Sequence, residues 1–451
     1  MKEKRRGFST EGIGKIPIIY AIIGDKRNDG RSDKGNSESS QRRGTERIEK
    51  EIHYGKGEHG MDNFTQYAPT EVVFGKGTEN ETGQEVKKWG GSRAILVYGT
   101  GSVVRSGLLG RVEKSLKKEG VNYVEFGGAR PNPTLAHAEK GAALAAKEKC
   151  DFVLAVGGGS AIDTAKGIAH GAANPGIQLW DIWTQKVPHT KSMPVGAVLT
   201  IAAAGSEMSD SAVLTNEETD IKTGLSTEFN RCKFAVMNPE LTFTLPDYQL
   251  AAGVADIMMH TMERYFIPGI QCDLTDEIAE GLLRTVIKNA KAALRDRRDY
   301  DSMAEIMWCS SLSHNDLTGC GRGKDFSVHK IGMPLSAFYD YTHGATLTAV
   351  WASWARFQYK HAVDRFARYA RKVWGVTEAD DEKAAASGIE ATEKFFSGIG
   401  MPVSLHELGL HATDDDIKAL ALNATQGDTL KFSRLIPLGA KEIEEIYRMA
   451  K

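Results

Sequence analysis

From Arg93 onward, short apolar runs alternate with segments whose apolar residues recur three or four positions apart. These are the patterns of buried strands and of helices packed on them. RAILVY, Arg93 to Tyr98, reads as a buried strand, followed by the turn Gly99-Thr100-Gly101-Ser102 and a helical stretch through Leu108 to Lys118. VNYVEF is the next strand, and Leu135, Ala138, Ala142, Ala145 and Ala146 share one helix face. DFVLAV, Asp151 to Val156, then runs straight into GGGSAIDTAKG. Strand, glycine loop and helix in that order predict a parallel βαβ unit, with ligands at the carboxyl ends of its strands.

Past LTFTLPDY, around Pro246, the strand signals nearly vanish. Ala251 to Phe266 reads as one helix. Val363, Phe366, Ala367, Ala370, Val373 and Trp374 trace one face of another, which Gly375 stops, and KEIEEIYRMAK closes the chain. The expectation is an α/β dinucleotide-binding domain with a parallel sheet over 61–245, then an all-helical metal-binding domain over 246–451. A cleft separates the two.

Residues 1–60 follow neither pattern. DKRNDGRSDKGNSESSQRRGTERIEKE has almost nothing to bury, which reads as a disordered leader. Its apolar run, Ile16 to Gly24, is too short to span a bilayer and lacks a small-x-small cleavage site. Globular sequence begins abruptly at Met61, and Lys56-Gly57-Glu58 is encodable as AAA-GGA-GAA, which resembles a ribosome-binding sequence. Translation starting at Met61 is therefore expected, with a genuine disordered tail as the alternative.

Charge is almost balanced, 57 Lys+Arg against 59 Asp+Glu, so nothing recruits nucleic acid or an acidic membrane. The five cysteines form no C-x-x-C pair, which suits a reducing cytoplasm and argues against a cysteine zinc site.

Asp256 and His260 stand four residues apart on the predicted helix, so both reach a single ion on one face. His329 and His343, flanking KIGMPLSAFYDYT, complete one carboxylate and three imidazoles, a donor set for a divalent transition metal. The loop Gly157-Gly158-Gly159-Ser160 reads as a phosphate cradle, because glycines let the backbone approach a diphosphate and the helix start offers free N–H groups. No acidic side chain follows in Tyr98-Gly99-Thr100-Gly101-Ser102. Small residues and the nearby Arg105 leave room for a 2′-phosphate, which points to NADP(H) rather than NAD(H).

Asp-x-x-x-His, GRGKDFSVH and YDYTHG, in that order, resemble the iron-containing (group III) alcohol dehydrogenases, most closely their butanol dehydrogenase branch. The likeness runs from about Met61 to the C-terminus. It implies a dehydroquinate synthase-like architecture, with metal on Asp256, His260, His329 and His343. The habit of the family favours Fe(II), with Zn(II) as the alternative. It also implies cofactor contacts at Gly99, Gly101, Ser102, Asn132, Gly158, Gly159, Ser160, Asp163, Thr200 and Lys222, with Lys166 in the diphosphate motif. The reaction implied is metal-assisted interconversion of short-chain aldehydes and primary alcohols by a cytoplasmic homodimer. The chain departs from the pattern at Ala202 and Ala204, where the family commonly has Pro and Thr. It departs again at Met333, where the family places a proton-relaying histidine four residues after the first histidine. These departures keep open a weakly active relative that binds nucleotide or metal. A metal- and NAD-dependent lyase of the dehydroquinate synthase type is the other alternative, and it would need a Lys/Arg cluster near the ligands, which the sequence does not show.

Overall fold

The computed structural model describes residues 60–188 and 190–451. The expected leader over 1–60 lies outside them except for Gly60. Six strands build one parallel sheet: β1 (Glu71–Phe74), β2 (Arg93–Tyr98), β3 (Asn122–Phe126), β4 (Phe152–Gly157), β5 (Val195–Leu199) and β8 (Phe234–Met237), in the order β1-β8-β5-β4-β2-β3. Helices α1 (Thr82–Lys88), α2 (Ser102–Arg105), α3 (Leu108–Lys118), α4 (Leu135–Lys147), α5 (Gly159–Ala173) and α6 (Leu179–Trp183) intervene. Both faces of the sheet are covered, which is why its inner strands β2, β4, β5 and β8 are apolar almost throughout. Ile95, Val153 and Ala197 pack against Ile162 and Ile168 on one face. Ala94, Leu96 and Leu154 pack against Val112 and Leu116 on the other.

β3 lies on one side of β2 while β4 and β5 continue on the other, so the sheet reverses direction between β2 and β4. Such a reversal opens a crevice beyond the carboxyl ends of the two strands. The glycine loop after β4 and the Gly99–Ser102 turn after β2 both sit there.

The strand reading overlooked an antiparallel hairpin, β6 (Ser211–Asn216) and β7 (Ile221–Ser226), in which Thr215 pairs with Lys222. Its signal was present. Asn216 Oδ1 accepts the Glu218 N–H at 3.0 Å and Asp220 takes a left-handed φ of 51°, so NEETD makes a local turn.

After the hairpin and β8 the chain turns helical: α7 (Asp247–Tyr265), α8 (Asp273–Arg295), α9 (Tyr300–His314), α10 (Ser327–Tyr339), α11 (His343–Gln358), α12 (Val363–Trp374), α13 (Asp381–Gly398), α14 (Asp414–Ala424) and α15 (Ala440–Met449). Gly375, at φ 72°, stops α12 as its position implied. α7 is the central helix, buried on every side from Leu250 to Tyr265. The core around it is continuous with one face of the sheet. No helix among the described residues is long and apolar enough to cross a membrane.

Candidate active site

The helix α7 carries three ionisable side chains on one face: Asp256, His260 and Glu263. Small residues ahead of them let other chain segments approach. A Cβ on Gly253 would come within 2.4 Å of the Ala202 carbonyl oxygen, and one on Gly344 within 2.1 Å of the Ala252 oxygen. These two contacts seat the 201–204 loop and the start of α11 directly on α7. His343, the first residue of α11, is thereby brought to Asp256.

Asp256 Oδ1 is the focus. His260 Nδ1 lies 3.5 Å from it, His329 Nε2 3.5 Å and His343 Nε2 3.8 Å. Asp256, His329 and His343 each offer a donor atom within 4.8 Å of the others, and His260 adjoins them with its ring centroid 4.6 Å from that of His329. Asp256 Oδ1, His260 Nδ1 and His329 Nε2 are buried without a hydrogen-bond partner. Buried polar atoms are rarely left unpaired. The Asp256 carboxylate and the imidazoles of His329 and His343, with His260 adjoining, fit a divalent transition ion, which would satisfy the unpaired atoms together. Burial, reinforced by the neighbouring His314, holds His260 well below its ordinary pKa, and a neutral imidazole is the form that binds metal.

Glu263 completes His329. One carboxylate oxygen accepts the Val328 N–H and the other meets His329 Nδ1. Burial alone would lower His329, but Glu263, together with Asp256, carries it up to about 9, so a bound ion would have to displace the Nε2 proton. With its proton held at Nδ1, the imidazole presents Nε2 to the ion. The segment is anchored from both ends. Asp325 N donates to the Glu263 carbonyl at 3.0 Å, while Asp325 Oδ1 accepts the Ser327 N–H at 2.8 Å. Pro334 inside α10 cannot donate to the Lys330 carbonyl, which permits a bend one turn beyond His329. Glu263→Leu is expected to weaken metal affinity by about 10–100-fold, with Glu263→Gln, which keeps an acceptor, affected less. Metal titration with a competing chelator measures both, and unchanged affinity in Glu263→Leu would reduce Glu263 to a cap for Val328.

On the facing wall, α5 begins at Gly159 directly after β4. A Cβ on Gly158 would meet Ile201 side-chain atoms at 3.0 Å and one on Gly159 would meet Ala204 Cβ at 3.2 Å, so the loop is drawn tight against the 201–204 segment. Asp163 ties that segment down, accepting from Ser206 Oγ at 2.6 Å and from the Val213 N–H at 2.9 Å. Lys166 donates to the Ser206 and Ser211 carbonyls, each at 2.7 Å. Lys222 donates to Asn132 Oδ1 at 2.8 Å, and Asn132 Nδ2 donates to Asp340 Oδ1 at 2.7 Å, a chain of bonds spanning the cleft.

A cavity of about 490 Å³ unites Asn132, Gly159, Ser160, Asp163, Lys222, Asp256, His260, His329, Met333 and His343. Gly99, Gly101, Ser102, Gly158 and Thr200 lie off its wall. Three further features escaped sequence reasoning. His314 ends α9 with its ring centroid 4.0 Å from that of His260. Arg264 is buried and donates to the His260 carbonyl at 2.8 Å. The expected lack of a basic cluster near the ligands is also corrected, because Lys324 and Lys330 line the cavity together with Lys222, which the resemblance already implied at the cofactor. They come from a hairpin, a loop and a helix, so no local cluster betrayed them. Glu263 alone had a local signal, lying seven residues after Asp256 on the same helix.

The model of the iron-containing alcohol dehydrogenase family matches residues 69–239, and that of the C-terminal part of the same family matches residues 250–451. NADH-dependent butanol dehydrogenase A of Clostridium acetobutylicum is 38% identical over 390 residues, 86% of this chain and 99% of that protein. NADPH-dependent aldehyde reductase YqhD of Escherichia coli is 35% identical over 352 residues, 78% of this chain and 90% of that protein. The crystal structure of NADH-dependent butanol dehydrogenase A from Thermotoga maritima superposes with a TM-score of 0.83 at 35% identity, covering 87% of this chain and 99% of the other.

Proposed function

The chain belongs to the iron-containing alcohol dehydrogenase family, and we propose that it is an NADPH-preferring reductase of butanal-like aldehydes. That it is an oxidoreductase interconverting alcohols and aldehydes with iron and a nicotinamide cofactor follows from its relatives. The finer reading is carried by one observation: the unpaired Asp256 Oδ1, His260 Nδ1 and His329 Nε2 share one cavity with His343 and with the glycine loop at a helix start.

Asp256, His260, His329 and His343 would hold the ion, and Glu263 would keep His329 aimed. The bound ion supplies Lewis-acid polarisation of a carbonyl oxygen, and the nicotinamide supplies hydride. Gly159 and Ser160 would receive the diphosphate with backbone N–H groups, and Asp163 and Lys166 hold the adjoining loop in place. Met333 and Pro334 line the same cavity one turn beyond His329.

The NADPH preference is supported by the small residues of the Gly99–Ser102 turn. Arg105 folds back over it, with Nη1 3.0 Å from where a Cβ on Gly101 would stand. The acidic Glu125 on β3 is engaged by Tyr98 Oη at 2.8 Å. Relatives of both cofactor habits exist, so the measurement matters. With butanal, kcat/KM should favour NADPH over NADH by at least about tenfold, equivalent to roughly 1.4 kcal/mol. Equal values would show that the turn does not read the phosphate. Loss of 340 nm turnover on chelation, restored by Fe(II), tests the metal assignment in the same assay. A homodimer is the expected assembly.

A further inference from the structure

We propose that the cavity selects aldehydes whose far end is anionic, with Lys330 as the group that binds that end. The inference deepens the reductase reading and rests on it, since the aldehyde end must face the metal-binding side chains. Phe326, Lys330 and Pro334 stand four residues apart along α10 and its N-cap, a row adjacent to that of His329 and Met333. All five residues line the cavity. Opposite them stands Phe432, whose ring centroid lies 4.8 Å from Lys330 Nζ.

The three lysines of the cavity differ in their partners. Lys324 lies 3.8 Å from Asp210 and 3.6 Å from Asp316, and Lys222 donates to Asn132. Among the described residues, the ammonium of Lys330 has the Phe432 ring and no carboxylate within ion-pair reach. Asp325 and Glu263 attract this ammonium only from beyond ion-pair distance, and it stands on the exposed side of the cavity. A cation so placed, beside an apolar wall and one residue from a metal-binding histidine, suits a ligand with an apolar middle and an anionic tail. The cofactor does not account for it, because the glycine loop that would cradle its phosphates opens α5 on the facing wall. A carboxylate and a phosphate share the required chemistry.

The test uses full-length protein loaded with Fe(II) and saturated with NADPH. Initial rates are compared for butanal, 4-oxobutanoate, glycolaldehyde phosphate and the cationic trimethylammonioacetaldehyde. At least one anionic aldehyde is expected to exceed butanal in kcat/KM by about tenfold or more, with the advantage shrinking as salt is raised and the cation turned over worst. Preference between the two anions tells carboxylate from phosphate. Lys330→Met, which keeps the apolar stem, should lower kcat/KM for the preferred anion at least tenfold more than for butanal, mainly through KM. Turnover of butanal with no anion preference keeps the reductase reading and overturns this one. A parallel fall for butanal and the anion in Lys330→Met also overturns it, since that is what a purely structural lysine would give. No turnover of any of the four overturns both readings.

Discussion

His343→Ala is expected to abolish metal binding and aldehyde reduction while leaving the fold intact. Its Nε2 is one of three imidazole nitrogens within 3.8 Å of Asp256 Oδ1. Its side chain is 30% exposed at the cleft, whereas those of Asp256 and His260 are 5% exposed. Truncating a side chain open to solvent leaves little cavity, so the change in thermal midpoint should be small. His260→Ala is a poorer probe, because that ring is sandwiched between His314 and His329 and its loss empties a packed site. Lewis-acid assistance contributes several kcal/mol, so activity should fall by at least about 10³-fold. Metal stoichiometry and melting temperature, measured together, decide the matter. Full metal content in a fully active variant would remove His343 from the ligand set. A large drop in melting temperature with metal retained would mark it as structural.

Met333→His should raise kcat. Met333 lies one turn beyond His329 on α10, half-buried in the cavity wall, where the resembling motif carries a proton-relaying histidine. Methionine fills the space but cannot carry a proton. With Met333 present, a proton bound for the substrate oxygen must come from water. General acid–base assistance typically contributes 10²–10⁴-fold, so a gain toward about 10²-fold is expected if the relay is what the chain lacks. The new imidazole donates only when protonated. Aldehyde reduction should therefore be fastest below its pKa and decline as pH rises through about 6 to 7. An unchanged kcat and pH profile, with altered aldehyde preference, would make Met333 a pocket residue.

Features that depend on neighbours in the chain were legible. The order of strand, glycine loop and helix at 151–167 already specified a parallel sheet with a glycine turn at its carboxyl edge. The period of α7 alone put Asp256 and His260 on one face, and it would have put Glu263 there too had the pattern been followed one turn further. The hairpin 211–226 was missed because its alternation is short and its role depends on docking against Thr134. What the residues could not declare by themselves was which distant segments meet. His343 reaches Asp256 because Gly344 allows a backbone contact on α7 that any side chain would block, and His329 because Glu263 of α7 holds Val328 and His329. His314 and Lys222 enter the same cavity from α9 and β7, far in the chain from the ligands, and no spacing encodes that. Helical and strand periods act over a few residues and can be read directly. The assembly of a site from remote elements depends on packing, where distances of a few ångströms are set by the whole core at once.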